Sequence, residues 1–403
     1  MVRNLVLSSA LAFTLGLSAL STEAEAQEAP CGGSFDRWMS QVRSEALNMG
    51  ISRNVVSSAL RGLTPDPRVL SRDRKQGVFT LTFLKFASRL ISKNRMNRGR
   101  SLMKKHGATF KRVRKDYGVP ASVLTAFWGL ETDFGGFMGD FKTMRSLVTL
   151  AHDCRRPELF RPQVFAAMRL LERGDLRLSE MVGAWAGELG QTQFLPSDYL
   201  EIAVDYDRSG RVDLLRSVPD VLGSTGNLIK SHGWRAGEPW LQEVRVPRSM
   251  PWDQADIAIT HSRAQWAKWG VTRADGRRLK GDKLKASLLL PMGHKGPAFL
   301  AYHNFTKVYL EWNKSLIYAT TAGYFATRLA GAPPVQPGNG TVTPLTQAQT
   351  KELQSLLARR GFDVGKIDGI LGAGTRAAVK AMQKKYGFPA DSYPTAGLLR
   401  KLR

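Results

Sequence analysis

The sequence predicts a mainly α-helical protein of two folded units behind an export leader. Three observations carry that expectation. Apolar residues recur at helical spacing from Phe35 to about Gly107, and again through Val123, Ala126, Phe127 and Leu130. Late in the chain, the Pro/Gly run Gly331-Ala-Pro-Pro-Val-Gln-Pro-Gly-Asn-Gly340 breaks the pattern and reads as a linker. The first 26 residues differ in composition from the rest. With 403 residues, 43% of them hydrophobic, the chain can bury a large core and hold more than one domain.

Residues 1–26 read as a cleaved secretory signal. Arg3 supplies a positive start, Leu5 to Leu20 is a short apolar run, and Ala24-Glu25-Ala26 offers small residues for cleavage. A membrane anchor is the alternative, but the run is short for a span and lacks basic residues on its far side. Lipid attachment at Cys31 is another, poorly supported by Ala29-Pro30 before it. The expectation is a soluble exported protein with no stable membrane insertion after cleavage. Export gives the two cysteines meaning. Cys31 and Cys154 are the whole set, and an oxidising compartment favours a bridge between them over two free buried thiols.

The formal charge is +25, about +26 once Arg3, Glu23 and Glu25 are removed. Such a balance often marks a nucleic-acid partner. Here the basic residues are scattered without a nucleic-acid motif, and export argues against that partner. An anionic polymer outside the membrane fits better, through long-range attraction.

Along the N-terminal helical region, Phe79, Phe83 and Phe86 could line a groove, but their helical spacing favours a core. Gly118, Pro120 and Ser122 then announce a helix start. Leu124 and Trp128 widen its apolar face, so it should be buried over most of its circumference. Gly135 and Gly136 are expected to stop it. Glu131 thus ends an apolar helix beside Trp128 and Phe134. A carboxyl there loses hydration and keeps its proton to higher pH, as a general acid requires. The plain alternative is a partly solvated glutamate at a helix end. Asp133, two residues on, should face elsewhere.

Pro157 opens a helix through Val164, Met168 and Leu171. Residues 183–197, Gly-Ala-Trp-Ala-Gly-Glu-Leu-Gly-Gln-Thr-Gln-Phe-Leu-Pro-Ser, are dense in Gly and uncharged polar groups. They read equally as a loop presenting amides to a sugar or as a tight turn with Phe194 and Leu195 in the core. Asp205, Asp207, Ser209 and Asp213 occupy positions 1, 3, 5 and 9 of a calcium-type loop, with Gly210 at 6 and the Arg211 carbonyl at 7. Arg216 stands where the bidentate glutamate belongs, and Asp220 could substitute if the chain turns back. A metal-free turn is the alternative. Beyond the linker, Leu353, Leu356 and Leu357 mark one helix, and Ala377 and Met382 another.

Several blocks in order carry a family resemblance. They are Gly129-Leu-Glu-Thr-Asp-Phe-Gly135, Cys154-Arg-Arg-Pro-Glu-Leu-Phe160, Trp185 to Ser197, Ala203-Val-Asp-Tyr-Asp207, His232-Gly-Trp234 and Trp312-Asn-Lys-Ser-Leu-Ile-Tyr318. Together they resemble the lytic murein transglycosylases of the B type. Leu345–Leu402 resembles the type 1 peptidoglycan-binding domain through Gly361-Phe, Ile367-Asp-Gly-Ile-Leu-Gly and Thr375-Arg-Ala-Ala-Val. The resemblance implies a lysozyme-like, mostly helical catalytic domain over 34–331, a linker over 332–343 and a three-helix module over 344–403. It implies that Glu131 is the catalytic acid, that Gln193 lies at the active site, and that Arg155 and Arg156 reach wall substituents. It also implies that Trp312, Asn313 and Tyr318 line the groove. Ala184 stands where relatives can carry a serine near the acid.

The implied substrate is the peptidoglycan glycan strand and the implied compartment the periplasm, with other wall-synthesis proteins as further partners. No cofactor is required, and calcium would be structural. Glu131 would cleave the glycosidic bond without water and close a 1,6-anhydro ring. A hydrolytic muramidase and a non-catalytic wall-binding scaffold are the rivals. A hydrolase needs a second carboxylate, and the sequence does not place one.

Overall fold

The computed structural model describes residues 30–74 and 81–403. The leader and Phe79 lie outside them. The architecture is mainly helical, as expected. Among the described residues, seven helices lead to Glu131: Phe35–Asn48, Arg53–Ala59, Pro67–Arg74, Phe83–Leu90, Lys93–Lys105, Gly107–Tyr117 and Ala121–Thr132. Phe83 and Phe86 are buried, which resolves that pair in favour of core. No helix among the described residues is long and apolar enough to cross a membrane.

The acid helix is buried on nearly every side, from Ser122 to Gly129. Its ends differ from the sequence expectation. Pro120 sits at the cap itself, and Ser122 is buried inside the helix instead of capping it. The stop comes from Asp133, a non-glycine residue in the left-handed region at φ 52°. The Asp133 N–H donates to Gly129 (3.1 Å), the 5→1 bond of an αL ending, and the Phe134 N–H reaches back to Trp128 (3.2 Å). Phe134 then closes edge-on against Trp128, ring centroids 5.6 Å apart. Gly129 makes room for it, since a Cβ there would lie 2.8 Å from the Phe134 ring.

Two hydrophobic cores meet behind this helix. One gathers Val123, Phe127, Trp128, Phe299, Phe305 and Phe325. The other joins Trp38 and Val42 to Leu147, Val164, Met168 and Phe194. Trp312 packs against both. The second core is tied at its N-terminal edge by the Cys31–Cys154 disulfide, which joins residues 123 apart in sequence. Closing a loop of that size is worth about 3–5 kcal/mol.

Among the described residues, seven short strands lie between the later helices: β1 Phe141–Lys142, β2 Val182–Gly183, β3 Leu241–Arg245, β4 His261–Ser262, β5 Thr272–Arg273, β6 Lys285–Leu289 and β7 Ala298–Ala301. β1 pairs with β2, and the others form an antiparallel sheet in the order β4-β6-β7-β3-β5. After β7 the chain makes a π-helical turn, Asn304–Tyr309, runs through Leu310–Trp312, and enters the helix Leu316–Leu329. A π-turn inserts an extra residue per turn and re-aims the side chains beyond it, here Trp312.

The C-terminal unit has the expected three helices, Gln347–Ala358, Ala373–Lys385 and Ala396–Leu402, around their own core. It is docked. Lys380 pairs with Asp256 (2.8 Å), the Arg376 guanidinium donates to the Pro291 carbonyl (3.1 Å), and Asp391 accepts the His294 backbone N–H (2.9 Å). The segment read as a linker is strapped down too. The Gln336 N–H donates to Glu243 (2.8 Å), Asn339 to the Val246 carbonyl (2.7 Å), and the Gly340 N–H to the Lys295 carbonyl (3.0 Å).

Candidate active site

Glu131 lies in the last turn of the acid helix, part-buried, with its carboxyl held from the side by the 312–318 block. The Trp312 Nε1–H donates to Glu131 Oε1 at 2.8 Å, and the Tyr318 hydroxyl donates to the same oxygen. No described residue hydrogen-bonds Oε2. Burial pushes the Glu131 carboxyl above the usual glutamate range, and the Tyr318 and Trp312 bonds pull partly against it. A carboxyl in this balance is protonated more readily than a solvated one, yet its anion finds two donors waiting.

The supports are rigid. Trp312 stacks on Phe127 with centroids 4.2 Å apart. Tyr318 projects from a helix capped by Ser315, whose own N–H is fixed by the Asn313 side chain at 2.9 Å. Asn313 is therefore committed to shaping the turn between Trp312 and Tyr318. Asp133 faces Arg95 (2.9 Å) and Arg98 (3.2 Å), not the acid, as the two-residue spacing predicts.

The Gly-rich loop crosses the end of the acid helix. Gln191 accepts the Trp128 indole N–H (2.8 Å) and donates to the Leu215 carbonyl (2.9 Å), while its backbone carbonyl accepts the Thr132 hydroxyl (2.6 Å). Gly135, at φ 77°, lies so close that a Cβ would sit 2.5 Å from Gln191 Oε1. Gln193, also left-handed at φ 54°, donates to the Met138 (3.2 Å) and Gly190 (2.8 Å) carbonyls. Phe194 is core, so this loop is both a packed turn and the rim of the site.

Arg155 and Arg156 stand together, but both guanidinium groups bind the buried Asp73. Arg156 also lies over the Phe160 ring at 4.9 Å. The disulfide clamps this turn, since Cys154 precedes Arg155 directly and the Gly32 N–H donates to the His152 carbonyl (2.8 Å).

Sequence reasoning missed Gln191, Asp73 and above all Glu188. Glu188 is the lone charged residue of 183–197, a signal that was available. Burial, and next the charge of Glu131, push its carboxyl up to about 7, while its own N–H, Arg156 and the Ala186 N–H act the other way.

The acidic loop differs from the expected ligand set. Asp205, Asp207 and Asp220 bring carboxylate oxygens within 4.8 Å of one another. Asp213 instead turns to Arg211 (3.2 Å) and Arg216 (3.1 Å) and caps the Leu215 and Arg216 N–H groups. Ser209 donates its hydroxyl to the Arg211 carbonyl (3.1 Å). The chain does turn back, and it brings Asp220, not Asp213, beside Asp205 and Asp207. Three carboxylates around one point are the oxygen donors a hard divalent cation takes.

Comparison with known proteins identifies the family. The transglycosylase SLT domain family matches residues 34–327, and the peptidoglycan binding domain family matches 346–402. The membrane-bound lytic murein transglycosylase B of Escherichia coli K12 is 32% identical over 242 residues; that match covers 59% of this chain and 64% of the relative's length. SltB3 of Pseudomonas aeruginosa, solved with NAG-NAM-pentapeptide, is 40% identical with a TM-score of 0.84, over 92% of this chain and 100% of that one. The Escherichia coli lytic transglycosylase Slt35, solved with calcium, is 25% identical with a TM-score of 0.64, over 76% and 97% of the two chains. The match of the transglycosylase SLT domain over most of the chain places this protein in that family, with a peptidoglycan binding domain at its C-terminal end.

Proposed function

We propose that the protein is a lytic transglycosylase that cuts the glycosidic bond between N-acetylmuramic acid and N-acetylglucosamine in peptidoglycan, with Glu131 as acid and then base. One observation carries the reading: the part-buried Glu131 carboxyl accepts two hydrogen bonds on one oxygen and none from described residues on the other. Protonated Glu131 gives its proton to the bridging oxygen as the bond breaks. The resulting carboxylate is held by Trp312 and Tyr318. It then takes the proton from the muramic 6-hydroxyl while that oxygen attacks the anomeric carbon, closing a 1,6-anhydro ring and restoring the acid. Water is not consumed, and the muramic N-acetyl group assists the cationic centre.

The rim residues Gln193 and Asn313 shape the groove through their neighbours' backbone. Arg155 and Arg156 face the acidic stem peptide with the charge that Asp73 leaves over. Asp205, Asp207 and Asp220 would hold a structural calcium ion, with Ser209 beside them. Its chemistry is limited to neutralising the three carboxylates and fixing the loop. The C-terminal module holds the same glycan, and the compartment is the periplasm. The test is mass analysis of soluble products from sacculi digested by the protein. Muropeptides ending in 1,6-anhydromuramic acid are expected, and reducing muramic ends would overturn the reading in favour of hydrolysis.

A further inference from the structure

We propose that Arg95 is a positioning residue for Glu131: its ion pair with Asp133 fixes the end of the acid helix against the helix that carries Tyr318, and so sets the contact between Glu131 and Tyr318. The inference deepens the transglycosylase reading and rests on Glu131 being the acid.

The two sides of the site come from elements far apart in sequence. Glu131 lies on Ala121–Thr132 and Tyr318 on Leu316–Leu329, so their hydrogen bond depends on the spacing of two helices. The Lys93–Lys105 helix is packed between them at Gly99. A Cβ there would meet Thr125 of the acid helix at 3.2 Å, Leu329 of the Tyr318 helix at 3.1 Å and the Phe134 ring at 3.3 Å. The Phe83–Leu90 helix is a second brace, since Phe83 meets Tyr324 of the Tyr318 helix edge-on with centroids 6.0 Å apart.

Arg95 ties these parts together at one point. Its Nε–H donates to Asp133 Oδ1 at 2.9 Å, and its guanidinium also donates to the Leu90 carbonyl, at the end of the Phe83–Leu90 helix. Its backbone N–H donates to the Ser92 hydroxyl at 3.1 Å. Arg98, one turn on, reaches the other Asp133 oxygen at 3.2 Å and lies over the Phe134 ring at 5.5 Å. Asp133 is where the acid helix turns off, and Phe134 follows it in the left-handed region, at φ 61°. Two non-glycine residues in succession there cost energy, and such backbone persists where the surrounding contacts over-determine it. An exposed ion pair by itself contributes little. Arg95 is part-buried and already anchored at Leu90 and Ser92, so its planar fork loses little freedom in meeting Asp133. Only Thr132 separates Asp133 from Glu131, and its hydroxyl is bonded to the Gln191 carbonyl at 2.6 Å. A shift of Asp133 therefore passes to Glu131 with no slack between them.

The test uses Asp133→Gly and Arg95→Met in the full chain. Glycine adopts the left-handed turn more easily than aspartate, so the first variant keeps the helix stop and loses the ion pairs. Methionine keeps most of the Arg95 stem and removes its donors. Each variant should lower kcat on soluble peptidoglycan strands about 10–30-fold, with KM within about 2-fold of the parent. The double variant should lose no more than the worse single one, because both act through one contact. The second readout is the Trp312 indole N–H proton resonance, assigned by Trp312→Phe. It should move to higher field in each variant as its bond to Glu131 lengthens. Parent kcat in a folded Asp133→Gly would overturn the proposal and leave Asp133 as a helix stop only. So would losses that multiply in the double variant, or a lowered kcat with the Trp312 resonance unmoved. The resonance is read without substrate, so its outcome is independent of whether the products carry anhydro ends.

Discussion

Asp220 and Glu131 are two carboxyls that this molecule treats in opposite ways. Asp220 is fully buried, and both its oxygens are taken by backbone: Oδ1 accepts the Tyr206 (2.7 Å) and Asp207 (3.1 Å) N–H groups, and Oδ2 accepts the Asp213 N–H (2.8 Å). Burial still pushes its carboxyl up, against those amides. Glu131 is also pushed up by burial, but its donors are two side chains on one oxygen. The first arrangement is a pin that folds a loop back on itself. The second leaves an oxygen free to exchange a proton. Burial alone therefore does not set a carboxyl's part; the two differ in which of their oxygens are bonded, and by what.

The contrast can be broken at several points. The largest effect is expected from Glu131→Gln, which keeps volume but removes the proton: cleavage of sacculi should fall at least about 100-fold, while sacculus binding and folding persist. Residual cleavage within a few-fold of the parent would remove Glu131 from its role. Asp220→Ala should do the reverse, costing about 2–4 kcal/mol in denaturant unfolding by orphaning three amides while the folded fraction still cleaves. A folded, fully stable but inactive variant would contradict the division between pin and acid. The smallest effect is expected from calcium. Saturating calcium should raise the melting temperature by about 2–5 °C, reversed by chelation and absent in Asp205→Asn. No shift in either protein would reject calcium at this loop.

The acid helix was legible because its signal is local. Apolar residues at helical spacing mark the buried element, and the blocks around Glu131, 183–197 and 312–318 carry the family pattern. The Glu131 donors Trp312 and Tyr318 could be named from that pattern, though not their convergence on one oxygen. The five-stranded sheet escaped for a different reason. β6 and β7 are buried at almost every position and lack the alternation that marks a half-wet strand. The left-handed Asp133 escaped as well, because Gly135 and Gly136 offered a more conventional stop. In the acidic loop Asp205 and Asp207 cluster with Asp220, while Asp213 turns to Arg211 and Arg216, a pairing the loop spacing does not show.

The strapped segment between the two units changes how the C-terminal module can serve the cleft. A free linker would let a bound glycan present any of its bonds within reach, with an effective concentration set by chain statistics. Here Gln336, Asn339 and Gly340 are hydrogen-bonded to the catalytic unit, and Lys380, Arg376 and Asp391 fix the module against it. The module and Glu131 are thus two marks on one ruler. On the proposed function, a strand gripped at the first mark would meet Glu131 at a set number of sugars from the grip, with bonds at other offsets out of register.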